Sequence, residues 1–399
     1  MTFAELSTPA ALVDLGMMKS NIERMQVRMH ALKVRFRPHV KTTKCIEIVQ
    51  DQISAGAQGI TVSTLKEAEQ FFAQGITDIM YAVGMVPHKL AQALKLIEAG
   101  CQLKLIVDSV AAAQAIADYN SADYNMTSSN EAAHRSGAVS KKGAAGKIAV
   151  FIEVDSDGHR SGVKPDAPLL LEIAAALEHE NSAARLAGVM THAGASYDLN
   201  TQEALQNMAE QERSRCVHAA ERLRQAGFAC PEVSVGSTPT ALSATHLEGV
   251  TEVRAGVYVF FDLVMCNVGI CTPQQVALSI LTTVIGHQFE KGWVIVDAGW
   301  MAMSRDRGTQ KQSVDYGYGQ VCDVAGRVIP GFIMEQANQE HGIVALSTGI
   351  DLDIAKRFPV GSQLRILPNH ACATGAQFPE YVAVKGQDVQ ATWPRFYGW

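Results

Sequence analysis

Over roughly its first 250 residues the chain alternates short apolar runs with helix-period segments about eight times. Its last third reads as strands with no strong helices between them. These two observations predict a parallel α/β barrel of the (β/α)8 TIM type followed by a C-terminal antiparallel β domain. Length agrees, since 399 residues exceed one ordinary domain. A composition of 47% hydrophobic and 19% charged residues is enough to build a sizeable core.

The elements follow in order. ALVDLG is a short apolar run, and residues 17–32 place Met18, Ile22, Met25 and Met29 at helical spacing. A strand from Val34 ends in the polar stretch RPHVKT, and the helix CIEIVQDQISAG stops at Gly56. GITVST, DIMYAVG and CQLKLIVDS read as strands, with LKEAEQFFAQG and PHKLAQALKLIEAG as the helices between them. Residues 119–146, rich in Ser, Asn, Ala and Gly, lack an apolar period and read as a mobile surface insertion. Beyond it come GKIAVFIEVDSD, LLLEIAAALEHE, RLAGVMTHAG, a long helix from about Gln202 to Gly227, EVSVGST and TEVRAGVYV. The barrel is expected over 12–260 and the β domain over 261–399, joined by the N-terminal segment 1–11.

Charge and composition exclude several classes. A net charge of −6 gives no field for a phosphate backbone or an anionic membrane, so no nucleic-acid or membrane partner is expected. No apolar run reaches the length of a membrane span, and the N-terminus, with its early Glu5, does not read as a signal peptide. Eight scattered cysteines without a CxxC pair fit reduced thiols in a cytoplasm.

Catalytic groups of such a barrel lie just after its strands. Lys41, in Arg37-Pro38-His39-Val40-Lys41-Thr42-Thr43-Lys44, would point into the barrel mouth, where burial and the flanking His39 and Lys44 lower its pKa and suit it to a Schiff base. The segment 153–163 fails as a calcium loop, because no helix pair flanks it and no twelfth-position Glu closes it; Arg160 before Gly162 suggests an arginine in a tight turn facing an anion. His192 and Tyr197 follow the strand LAGVM as candidate proton partners. Gly236-Ser237-Thr238 and Arg254-Ala255-Gly256-Val257-Tyr258 follow the last two barrel strands, where barrels often bind phosphate. His370 and Cys372, two apart on an extended segment, would share one side. Imidazole with thiolate suits a catalytic Zn²⁺; a buried cysteine beside a packed histidine is the structural alternative.

Together these residues resemble the alanine-racemase-type fold of pyridoxal-phosphate enzymes. RPHVKT with a late HxC resembles its metal-activated D-amino-acid branch, which includes dehydratases of D-serine and D-threo-3-hydroxyaspartate and a D-threonine aldolase. The resemblance runs from Thr8-Pro9-Ala10 to Gly398-Trp399, leaving out 119–146. It implies that Lys41 carries pyridoxal phosphate as an internal aldimine. It further implies that Gly236, Ser237, Thr238, Gly256 and Val257 hold the phosphate, with Tyr258 beside them. His39, Arg160 and Tyr197 would sit near the cofactor ring, and Arg254 would face the pyridine nitrogen, a role for which Glu252 is the competitor. His370 and Cys372 would bind Zn²⁺, with Mn²⁺ or another divalent ion as the alternative. Thr43 departs from the branch's usual RPHxKTHK, where a second histidine stands.

Val62-Ser63-Thr64-Leu65-Lys66-Glu67-Ala68 resembles the dehydratase form of that stretch, and His-x-Cys contrasts with the harder His-x-Asp of an aldolase. The resemblance therefore implies a lyase that converts a small D-3-hydroxy amino acid into a 2-oxo acid and ammonia, working as a homodimer. Retro-aldol cleavage is the rival activity. A racemase or a non-catalytic cofactor carrier stands further off, because of the HxC pair and the β domain.

Overall fold

The computed structural model describes residues 2–119, 146–347, 349 and 353–399. The insertion expected at 119–146 falls, but for its two end residues, outside the described residues.

Strand β1 (Ala10–Asp14) leads into the helix Leu15–Ala31. The Asp14 carboxylate accepts from the Met17 N–H and so caps that helix, and Met18, Ile22, Met25 and Met29 form its buried stripe. Eight parallel strands follow: β2 (Arg35–Pro38), β3 (Ile60–Val62), β4 (Asp78–Gly84), β5 (Gln102–Val107), β6 (Ile148–Glu153), β7 (Ala184–Met190), β8 (Glu232–Val235) and β9 (Glu252–Ala255). They bond in the order β2-β9-β8-β7-β6-β5-β4-β3, and a parallel bridge from His39 to Thr61 draws β2 onto β3. The result is the closed (β/α)8 barrel that the alternation predicts. Thr64, Ser109 and Thr201 cap three of the outer helices with their hydroxyls, which fixes where each helix starts relative to the strand before it.

Toward the N-terminal ends of the strands, the barrel interior holds a charged cluster. Arg37 is fully buried; its Nε donates to Glu252 at 2.8 Å and its Nη1 to Asp78 at 2.9 Å. Lys104 also pairs with Asp78.

The second sheet has nine strands. To β1 it adds β10 (Leu278–Gln288), β11 (Trp293–Val296), β12 (Gly319–Cys322), β13 (Val328–Ala337), β14 (Gly342–Leu346), β15 (Gln363–Pro368), β16 (Glu380–Lys385) and β17 (Asp388–Pro394). Its order is β11-β14-β13-β12-β15-β10-β1-β16-β17, and pairing of β10 with β11 closes six of these strands into an antiparallel barrel. The whole of β1, through Asp14, lies in this sheet, antiparallel to β10 and parallel to β16, although a barrel starting at residue 12 was expected. Ala11, Leu12 and Val13 are all buried, as a strand covered on both faces requires.

The chain's last residues fasten the two units at the barrel mouth. Arg395 Nε donates to the Thr43 carbonyl and the Phe396 N–H to the Lys44 carbonyl, so the turn that carries Lys41 is held from outside. Among the described residues no helix is long and apolar enough to cross a membrane. All eight cysteines are free thiols.

Candidate active site

A cavity of about 990 Å³ opens at the C-terminal ends of the barrel strands, against the second unit. Lys41 lines it from the one-turn helix Val40–Thr42 that ends β2. The lysine is exposed there rather than buried, and has no acidic partner among the described residues. Its neighbours are committed: Lys44 pairs with the buried Glu67 at 2.9 Å and Lys66 with Glu69 at 3.1 Å. Lys41 is thus the lysine of this stretch left free to meet a ligand.

His39 also lines the cavity. Its Nδ1 is buried without a hydrogen-bond partner, and burial, with Lys41 and Arg254 nearby, holds the ring far below the usual histidine range. His192 donates from Nδ1 to the Gly236 carbonyl at 2.9 Å. That bond fixes the tautomer with a bare Nε2, and burial pushes the ring down to about 4. Tyr197 packs beside it with ring centroids 6.1 Å apart. Arg254 is buried and donates to the Ser234 hydroxyl at 2.7 Å and the Thr191 carbonyl at 2.5 Å. Glu252, two residues deeper on β9, is held by Arg37 and by the Ser234 hydroxyl and does not line the cavity. Arg160 lies on the rim, exposed, 3.4 Å from Glu153.

The turns after β8 and β9 approach closely. Gly236 has φ +136°, and a Cβ there would stand 2.1 Å from the Arg254 carbonyl oxygen; at Gly256 it would stand 2.8 Å from that of His39. Val257 lines the cavity beside Gly256. Two expectations need correcting. Ser237 lines the cavity, but its hydroxyl is engaged: Oγ caps the helix Thr238–Ser243 by accepting from the Thr240 N–H and lies 2.8 Å from the Ser196 hydroxyl, whose own proton goes to the Ala193 carbonyl. Tyr258 does not face the cavity, because the tight turn Val257–Val259 sends its ring into the wall against Phe36, with its hydroxyl accepting from Gln52. Thr238 keeps a buried hydroxyl with no partner.

The second unit supplies the other wall. Cys372 does not lie on an extended segment: His370 ends the extended chain at the N-cap position of the helix Ala371–Gly375, which contains Cys372. The two side chains converge because a first helical turn, not strand alternation, separates them. His370 Nδ1 bonds Asp306 Oδ2 at 2.6 Å, and Cys372 Sγ lies 3.2 Å from the Thr42 hydroxyl, the residue after Lys41. Burial opposes ionisation of the cysteine, but His370 and Lys41 pull its pKa below the usual thiol value. Among the described residues no three His, Cys, Asp or Glu groups form a metal cage.

Several residues that matter here carry no local motif. Asp306 anchors His370 from 64 residues away. Asp262 joins the two units, its carboxylate accepting from the Met265 and Ala371 N–H groups. Glu212, buried on the long helix Gln202–Gln225, accepts from the Ala193 and Gly236 N–H groups and ties two mouth loops together.

A (β/α)8 barrel with lysine and glycine turns at its mouth, covered by an antiparallel barrel that contributes histidine and cysteine, has the alanine-racemase-like fold. The chain belongs to the alanine racemase N-terminal domain family, which matches residues 13–264, and residues 277–384 match a putative serine dehydratase domain. It is 61% identical to a D-threo-3-hydroxyaspartate dehydratase of Delftia sp. (strain HT23), over 100% of this chain and 99% of that one. It is 28% identical to a D-serine dehydratase of Dictyostelium discoideum, over 96% and 94% of the two chains. A cysteine-to-alanine mutant of a D-threo-3-hydroxyaspartate dehydratase, solved in the metal-free form, superposes with a TM-score of 0.91 at 60% identity over the full length of both chains.

Proposed function

We propose that the protein dehydrates D-3-hydroxy amino acids to 2-oxo acids and ammonia, using pyridoxal phosphate and a divalent metal, best Zn²⁺. The observation that carries the reading is the meeting of Lys41 and the His370–Cys372 pair in one cavity, joined through the contact of Thr42 with Cys372. The residues fit both groups. The unpaired Thr238 hydroxyl and the Gly236 and Gly256 turns suit a phosphate, and imidazole with thiolate suits zinc better than manganese. When bound, the cofactor supplies an electron sink for charge left at Cα and the metal a Lewis acid for the departing hydroxyl.

The chain's own residues do the rest. Lys41 attaches the cofactor, and its amine, once released, takes the Cα proton from one face, which sets D-specificity. Thr238, Gly256 and Val257 hold the phosphate; Gly236 contributes shape, because its N–H is already given to Glu212. Arg254 faces the ring nitrogen, a role closed to Glu252 by Arg37 and Ser234. His39, Arg160 and Tyr197 border the ring. Asp306 holds the proton of His370 on Nδ1 and so leaves Nε2 as the ligand atom.

A product assay of the purified protein on D-serine, D-threonine and D-threo-3-hydroxyaspartate tests this. The expected result is 2-oxo acid and ammonia in equal amounts, lost with a chelator and restored by Zn²⁺. Glycine with an aldehyde as the products would show retro-aldol cleavage instead.

A further inference from the structure

We propose that Arg305 and Arg307, the two guanidinium groups flanking the histidine-anchoring Asp306, form a subsite for a second carboxylate on the substrate's β-carbon, so that a 3-hydroxy dicarboxylic amino acid is preferred over D-serine. The inference rests on the dehydratase reading above and adds its substrate class.

The charges around the cavity do not balance. Among the described residues six cations line it, Lys41, Arg160, Arg254, Arg305, Arg307 and Lys311, against three carboxylates, Asp198, Asp262 and Asp306. Two of those carboxylates are spent on the fold, Asp262 on backbone N–H groups and Asp306 on His370. Arg254 is fastened to Ser234 and Thr191, and Arg160 to Glu153. Lys41 belongs to the cofactor. The unmatched charge of the segment 305–311 therefore sits on Arg305 and Lys311, while Arg307 pairs with Asp315.

Within that segment the two arginines are preset. Arg305 is exposed, has no acidic partner among the described residues, and sets its guanidinium carbon over the Trp300 ring, 4.1 Å from the centroid. Arg307 is clamped by Asp315 at 2.8 Å and by the Tyr318 ring, yet its Nε is buried and finds no acceptor. A buried guanidinium N–H without a partner is costly unless a ligand supplies one. The chain enters this segment through Ser304, whose φ of +69° lies where L side chains rarely go, and the Ser304 hydroxyl takes the Asp306 N–H. Gln312, beyond it, donates to the Tyr197 carbonyl, so the segment is moored across the mouth at both ends.

Position decides which anion these groups serve. The hydroxyl that leaves and a carboxylate on the β-carbon are attached to the same atom. The group that reads that carboxylate must therefore stand beside the metal ligands, and Arg305 and Arg307 adjoin the residue that holds His370. Planar guanidinium groups match a carboxylate, and D-serine carries none on its β-carbon.

The test compares D-threo-3-hydroxyaspartate with D-serine on the holoenzyme and its Arg305→Ala variant. The variant should lose about 10- to 100-fold in kcat/KM on the dicarboxylate, the worth of a charge-assisted hydrogen bond, and stay within about threefold on D-serine. D-aspartate, which lacks the leaving group, should bind the parent about tenfold or more tighter than D-alanine, a preference that Arg305→Ala and Arg305→Gln both lose. Equal losses on both substrates, or no preference for D-aspartate in the parent, would overturn the subsite. A parent that prefers D-aspartate yet dehydrates neither substrate would keep the subsite and refute the dehydratase reading.

Discussion

The two ends of the barrel hold polar groups in opposite ways. At the lower end Arg37, Asp78, Glu252 and Lys104 satisfy one another, and Arg37 has no exposed surface. At the mouth, among the described residues, Lys41 has no acidic partner, and His39 Nδ1, the Thr238 hydroxyl and Arg307 Nε have no hydrogen-bond partner. Unsatisfied buried groups cost about 1–3 kcal/mol each, so a ligand that completes those at the mouth gains from doing so. The lower end is built for stability and the mouth for binding, which is the usual division of labour in this architecture.

That contrast can be broken by one substitution at each end. Lys41→Ala should lower turnover by ~10⁴-fold or more, since it removes both the attachment and the base. Melting of the cofactor-free protein should change little, because the side chain is exposed and unpaired. In the parent, borohydride reduction and peptide mapping should mark Lys41; a label on Lys44 or Lys66, which their carboxylates hold, would contradict the assignment. Arg37→Met should do the reverse. It strands Glu252 without its cation and should cost about 3 kcal/mol in chemical denaturation, with kcat per folded molecule nearly unchanged. A large kcat loss at unchanged stability would erase the distinction between the two ends.

How much of this was legible depended on sequence distance. Lys41, His370, Cys372 and the Gly236 and Gly256 turns each stand in a short motif just after an apolar run, so period and position reveal them. The misreadings were local geometry. Ser237 looked like a free hydroxyl but is used as a helix cap, and Tyr258 turned outward in a one-turn helix that the strand pattern did not announce. Cys372 sits in a helical turn where alternation suggested a strand. Asp306, Glu212 and the arginines of 305–307 were invisible for another reason. Asp306 and Glu212 have partners far along the chain, and the two arginines stand in 304–315, a polar stretch without a period. The strand β1 was assigned by its neighbours in sequence, but its pairing with β10 and β16 is fixed by burial on both faces.

In the proposed dehydratase the barrel mouth removes the Cα proton, while the second unit's histidine and cysteine serve only the departure of the hydroxyl. The Cys372→Ala variant separates the two most directly. It should keep the absorbance of the bound cofactor, because Lys41 and the phosphate turns lie on the barrel. It should still exchange the substrate's α-hydrogen with solvent deuterium, and it should form no measurable 2-oxo acid. Formation of 2-oxo acid at the parent rate would show that the pair holds no catalytic metal, and loss of the cofactor band along with activity would show that the two walls of the cavity do not act separately.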